Sequence, residues 1–154
     1  MPITLTSPVF SEGDLIPDRH TCDDADLSPP LAWSDVPDNA RSLALIFEDR
    51  DVPDGTWTHW LLYGLSPDTG ELTEWIPTLP SVENGIRQGT NDFGVAGYSG
   101  PCGQKIAHRY VFTLYALDAV PDLTEGATKA DFLAAIEGHV LDTGRLSCTY
   151  ASDE

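Results

Sequence analysis

Arg109-Tyr110-Val111-Phe112-Thr113-Leu114-Tyr115-Ala116-Leu117 contains no Gly or Pro and is dense in β-branched and aromatic side chains. Such a run fits a pleated, half-buried surface and predicts a strand. Working outward, short apolar stretches recur between Pro, Gly, Asp and Ser: Ile3 to Thr6, Leu31 to Trp33, Ser42 to Phe47, Thr56 to Leu65, and Leu146 to Ala151. Many short strands separated by turn residues are the rhythm of an all-β sandwich. Residues 66–97 carry Pro67, Gly70, Pro77, Pro80, Gly85, Gly89, Gly94 and Gly97, and predict long loops with short strands.

One segment reads differently. Across Lys129 to Leu141, Phe132, Leu133, Ile136 and Val140 recur at helical spacing and form one apolar stripe. Thr128 and Asp131 stand three apart, as in a capping box. Gly144 suits the exit. The expected architecture is mainly β, with one helix at about 129–141 in the C-terminal half and long loops. A chain of 154 residues without repeat or linker is one domain, 1–154. No apolar run approaches the ~18–20 residues of a membrane span. The start, Met-Pro-Ile-Thr-Leu-Thr-Ser-Pro, has neither a basic nor a long apolar region, so no signal peptide is expected and the compartment is cytoplasmic.

Charge is the abnormal number. Eight basic residues against 25 acidic ones give a net charge of −17. Nucleic acid and anionic membranes are therefore excluded as partners on electrostatic grounds. The acids are dispersed, and the only lysines are Lys105 and Lys129. The composition fits an acidic protein with basic partners, or one adapted to high salt. At molar salt a Debye length of ~3 Å screens self-repulsion.

Cys22, Cys102 and Cys148 match no C-x-x-C zinc or redox spacing. Cys148, in Leu-Ser-Cys-Thr-Tyr, reads as a small core residue. Cys22 and Cys102 lie in Gly/Pro/Asp-rich loops and could be neighbours. A disulfide between them is one reading, but in a cytosolic protein the expectation is two thiols.

The polar residues with chemical potential are few. Asp49 and Asp51 flank Arg50 at a strand end; alternation sends both to one side, and the alternative is turn chemistry beside Pro53 and Gly55. His59 shares a predicted face with Trp57, Leu61 and Tyr63, either as a hydrogen-bonded core residue or as part of a site. His108 and Tyr110 are i, i+2 and so point to one face. There they form an anion clamp or a packing pair. Gly97-Tyr-Ser-Gly-Pro-Cys102 is a bend that bares backbone N–H groups, with Pro101 limiting which. His20 reads as solvated or as a loop staple, and His139 sits near the helix end. A Ser99-based hydrolase lacks the G-x-S-x-G spacing. A metal site from His59, His108 and Asp49 has no supporting ligand spacing. No cofactor is implied.

Taken together, Ile16-Pro-Asp-Arg-His-Thr-Cys with Ser28-Pro-Pro-Leu-Ala-Trp33, Ser42 to Pro53, His59-Trp60, Gly89-Thr-Asn91, Gly97 to Cys102 and His108-Arg-Tyr110 resemble the phosphatidylethanolamine-binding proteins, specifically the prokaryotic Raf kinase inhibitor-like branch. The resemblance spans about residues 3–150. It implies a Greek-key β-sandwich with a pocket for a small anion, phosphate or carboxylate. It implies pocket roles for Asp49, Asp51, Pro53, His59, Gly100, Pro101, His108 and Tyr110, with Asp49 behind an imidazole rather than on the anion. It also implies frequent homodimers, and regulation of a kinase or protease by analogy. Two departures stand out. Arg50 replaces the family's first proline, adding a guanidinium beside the pocket or a partner for nearby carboxylates. The segment Cys102-Gly-Gln-Lys-Ile-Ala-His108 lacks the usual proline-rich stretch. The expected function is binding, not catalysis. The alternatives are a protease-inhibitory or interaction module acting through loops 66–97, and a weak Ser/His hydrolase.

Overall fold

The decisive strand, β7, runs from His108 to Leu117 and is paired on both sides. The structure, a computed structural model, describes residues 2–52, 55–102 and 106–151, so Pro53 lies outside the described residues. Before β7 come β1 (Thr4–Thr6), β2 (Leu31–Ser34), β3 (Ser42–Val52), β4 (Gly55–Leu65), β5 (Glu71–Leu72) and β6 (Arg87–Gln88). After it come α1 (Lys129–Ile136) and β8 (Val140–Tyr150). Two antiparallel sheets result, ordered β1-β2-β5 and β6-β4-β3-β7-β8. Strands β3, β4 and β6 lie side by side in the larger sheet, the chain passing through β5 of the smaller sheet between β4 and β6, and β7 returns to lie beside β3. The spatial order β7-β3-β4-β6 is a Greek key.

Alternation along the strands builds two apolar layers. Leu43, Leu45 and Phe47 of β3 meet Phe112 and Leu114 of β7, and Leu5, Leu31 and Trp33 of the smaller sheet, in the core between the sheets. Ala44 and Ile46 face outward, where Phe132 and Ile136 of α1 cover them with Leu61 and Tyr63. Lys129 ties the helix down through Glu48, Nζ to Oε2 at 2.7 Å. The capping box is present: the Thr128 hydroxyl accepts from the Asp131 N–H, and the Asp131 carboxylate accepts from the Thr128 N–H.

The helix is shorter than its predicted 129–141. It stops at Ile136 because Gly138 takes φ +80°, a left-handed turn that favours glycine. Val140 is then the first residue of β8 and lies exposed, outside the apolar stripe, as does Leu133. Gly144 is not the exit. It lies inside β8 opposite Leu114, where a Cβ would come within 2.6 Å of the Ile3 carbonyl oxygen. The last strand accordingly begins at Val140 rather than Leu146.

The cysteine expectation is also corrected. Cys22 and Cys102 are joined by a disulfide, with their Cα atoms 5.1 Å apart. The Cys22 N–H donates to the Pro101 carbonyl at 2.9 Å, so local pairing already holds the two loops within bridging distance. Cys148 is a buried free thiol, and burial pushes its pKa up to about 12. Among the described residues no helix is long and apolar enough to cross a membrane.

Candidate functional site

Three strands converge at one end of the inter-sheet core. Asp49 of β3 stands directly opposite Tyr110 of β7 and opposite Trp57 of β4. Between them lies a cavity of about 200 Å³ lined by Asp49, Val52, Trp57, His59, Phe93, Cys102 and Tyr110. Three of the eight sequence-predicted residues, Asp49, His59 and Tyr110, thus line one pocket.

His59 reaches it by a departure from strict alternation. Phe47 pairs with Trp60 but Glu48 pairs with Thr58, so β4 carries one residue more than β3 at this point. Such a bulge re-aims a side chain. His59 therefore does not share a face with Leu61 and Tyr63, which pack under the helix. Its ring turns inward instead, with centroids 5.7 Å from Phe47, 5.2 Å from Phe93 and 5.4 Å from Tyr110. Nδ1 donates to the Ser99 carbonyl at 2.6 Å. A carbonyl oxygen has only lone pairs, so the proton sits on Nδ1. Desolvation by burial lowers the His59 pKa, partly opposed by that hydrogen bond and by Asp49 and Asp26.

His108 joins the site through Asp49. Its Nδ1 donates to Asp49 Oδ2 at 2.7 Å, while Asp49 Oδ1 accepts the Asp51 N–H at 2.8 Å. The carboxylate thus fixes the imidazole's tautomer from behind, as carboxylates orient ligand histidines elsewhere. His108 lies 6.5 Å from Tyr110 by ring centroids, on the same face. Burial, with the Asp49 charge next, raises the Tyr110 pKa far enough to keep its phenol a donor.

The remaining predicted residues act elsewhere. The ladder shifts between Asp49 and Val52, and Asp51 leaves the pocket face. It accepts the Arg109 N–H at 2.7 Å and pairs with the Arg109 guanidinium, Nη2 to Oδ1 at 3.1 Å. That guanidinium, by hydrogen bond and charge, holds the Asp51 carboxyl below its usual range. Arg50 does not border the pocket. It pairs with Glu48 at 3.2 Å and lines a separate groove with Arg109 and Arg145 on the outer face.

Gly100 and Pro101 stand one layer back. The bend is not bare at its centre: the Ser99 N–H donates to the His59 carbonyl at 3.1 Å, and the Gly100 N–H donates to Asp26 Oδ1 at 2.7 Å. Desolvation raises the Asp26 pKa, and the Gly100 bond opposes the shift. Glycine is required at position 100 because a Cβ would lie 2.3 Å from the His20 carbonyl oxygen and 2.6 Å from Asp26 Oδ1. Gly100→Ala should therefore displace this loop and cost about 1–3 kcal/mol. A denaturation midpoint equal to wild type would count against that packing. His20 is a staple, fully buried, with Nδ1 donating to the Leu27 carbonyl at 2.8 Å and its own carbonyl accepting from the Tyr98 hydroxyl at 2.6 Å. His139 pairs with Asp118 at 2.8 Å on the surface.

Sequence reasoning missed Trp57, Phe93 and Asn91. The Asn91 amide donates to the His59 carbonyl, the Gly97 carbonyl and the Ser99 hydroxyl, at 3.2, 3.1 and 3.0 Å. Its Oδ1 accepts the Phe93 N–H at 2.9 Å and so seats the Phe93 loop beside His59. The signal was Asn91-Asp-Phe-Gly, an Asx-turn sequence. The Ser99 hydroxyl meets this amide, and its carbonyl meets the imidazole, so no Ser–His nucleophile pair forms.

Comparison with known proteins agrees with the geometry. The family model for phosphatidylethanolamine-binding protein matches residues 6–151. A UPF0098 protein of Methanothermobacter thermautotrophicus is 47% identical over 148 residues, covering 96% of this chain and 98% of the relative. One from Chlamydia muridarum is 46% identical over 154 residues, covering 97% and 99%. Among solved structures, a putative phosphatidylethanolamine-binding protein homologue, CT736 of Chlamydia trachomatis, superimposes with TM-score 0.90 at 43% identity, covering 99% of both chains. YbcL of E. coli, described as a member of the mammalian PEBP family, superimposes with TM-score 0.91 at 25% identity, covering 99% of this chain and 100% of its own. With the model matched from β1 through β8 and near half-identical relatives along almost the whole chain, the protein belongs to the phosphatidylethanolamine-binding protein family.

Proposed function

We propose that this protein is a small-ligand binding protein whose pocket takes a phosphate- or carboxylate-bearing molecule. One observation carries the reading: a cavity of about 200 Å³ holds the Tyr110 phenol at its wall, with the Asp49–His108 pair at 2.7 Å beside it. The phenol supplies a donor to ligand oxygens, and His108, with Nδ1 held by Asp49, adds one from Nε2 when its ring is protonated. Trp57 and Phe93 supply apolar wall for the ligand's organic portion. The volume suits a compact headgroup rather than a chain. Among the described residues the Ser99 hydroxyl is bonded to the Asn91 amide and not to an imidazole.

The test is calorimetric titration of phosphate, acetate and phosphoethanolamine into wild type and His108→Ala at molar salt. A lost charge-assisted hydrogen bond is worth about 1.5–3 kcal/mol. The variant should therefore bind at least about tenfold more weakly. Equal affinity for both proteins would remove the pocket from the account.

A second reading has its own observation. Trp75 is 71% exposed with φ +70°, an unusual conformation for a bulky residue. With Ile76, Pro77 and Leu79 it borders a groove of about 710 Å³ in the 66–97 loops. That groove favours a protein-interaction role. Retention of a partner by His108→Ala and its loss in Trp75→Ser would support it.

A further inference from the structure

In their neutral forms the two imidazoles do not present the donors an anion wants. Each has its Nδ1 proton committed to an oxygen of the protein: His59 to the Ser99 carbonyl at 2.6 Å, His108 to Asp49 at 2.7 Å. A neutral ring bonded through Nδ1–H offers only a lone pair at Nε2. Burial lowers the His59 pKa and keeps that ring neutral. His59 is 3% exposed and lines the cavity, and with Nδ1 bonded to Ser99 the nitrogen left for a ligand is the Nε2 lone pair.

The surrounding charges point the same way. From β3, Asp49 lines the same cavity as a carboxylate. From the loop before β2, Asp26 lies close enough to influence the His59 ring, as Asp49 does. From β7, Tyr110 contributes a neutral donor. When His108 is protonated, its positive charge is matched by Asp49 at 2.7 Å, so the pair adds no net positive charge. Arg50 and Arg109, the nearest guanidiniums in sequence, line the groove on the outer face. A fully ionised oxyanion would put an oxygen lone pair against the His59 lone pair beside a carboxylate, inside a protein of net charge −17. An oxyanion that retains one proton would instead donate it to Nε2.

We propose that the pocket selects an oxyanion still carrying a proton, a phosphate monoester monoanion over its dianion or a sulfate ester. The ligand O–H donates to His59 Nε2 and an unprotonated oxygen accepts from the Tyr110 hydroxyl. This rests on the anion-pocket reading above and adds the ionisation state of the ligand. No covalent step is involved.

Methyl phosphate and methyl sulfate separate the possibilities. They have closely similar size and both carry one negative charge at pH 5.5, but only the phosphate retains a proton, with a second ionisation near pH 6. The intact protein at high salt would be titrated with each by calorimetry at pH 5.5 and 7.5. Because an unsatisfied or opposed buried acceptor is costly, methyl phosphate should bind at least about tenfold more tightly than methyl sulfate at pH 5.5. It should lose a similar factor at pH 7.5, while methyl sulfate stays weak. Equal binding of the two esters at pH 5.5 overturns the proton requirement and leaves the anion pocket standing. Failure of both esters at both pH values overturns the pocket reading and this inference together. Nitrogen NMR of the imidazoles gives a ligand-free check: His59 should report the Nδ1–H tautomer, and an Nε2–H tautomer would refute the geometry.

Discussion

Phe47→Ala should cost the protein about 3–5 kcal/mol, the range for large aromatic truncations in a close-packed core. Phe47 is completely buried at the centre of β3. Its ring lies parallel to Phe112 with centroids 3.8 Å apart, and within 6 Å of Tyr98, Tyr110 and His59 as well. Truncation leaves a void bordered by two rings that also form the pocket wall. The loss should therefore appear twice. The denaturation midpoint should fall, and ligand affinity should fall even under conditions where the variant is fully folded, because His59 and Tyr110 lose the surface that sets their angle. Phe47→Leu, which refills much of the space, should recover most of the stability and less of the affinity. A variant that loses stability yet binds as wild type would show that the pocket does not depend on this ring for support.

The second large effect is expected from the disulfide. Cys22 and Cys102 are separated by 80 positions in sequence. In the chain-entropy account, closing a loop of that length constrains the unfolded state by about 4.5 kcal/mol, and removal of natural bridges costs about 2–5 kcal/mol. Cys22→Ser with Cys102→Ser should fall in that range, read as a drop in denaturation midpoint that added reductant does not enlarge. Wild type in reductant should approach the double variant. Cys102 also lines the pocket, and the adjacent Pro101 carbonyl holds the Cys22 N–H. Ligand affinity should therefore weaken along with stability. Identical midpoints with and without reductant would show that the bridge constrains nothing the remaining contacts do not already hold.

The strands were legible because their residues obey local rules. Val, Phe, Tyr and Leu in β7 announce a strand, and the same face relation places His108 and Tyr110 together. The helix cap was legible for the same reason, since Thr128 and Asp131 act within one turn. What failed were features set by pairing with distant chain. A bulge is a mismatch between two strands, so β4 alone gives no sign that His59 leaves the face of Leu61 and Tyr63. Gly144 looks like a helix exit until Ile3 is seen packed against it. The Gly100 N–H looks bare until Asp26, distant in sequence, occupies it. Arg50 sits next to Asp49 in sequence yet on the opposite side of the sheet, a consequence of strand alternation that a motif reading passes over.

The extra residue in β4 makes the site depend on counting as well as on chemistry. Deleting Thr58 would remove the extra residue of β4 between the Phe47–Trp60 and Glu48 pairings, and the imbalance that turns the imidazole inward would vanish. Point changes at the site can be reverted or compensated one atom group at a time, whereas a lost codon here would swing a whole side chain toward the helix. Length conservation across this hairpin should therefore be stricter, among proteins that keep the function, than conservation of any single wall residue.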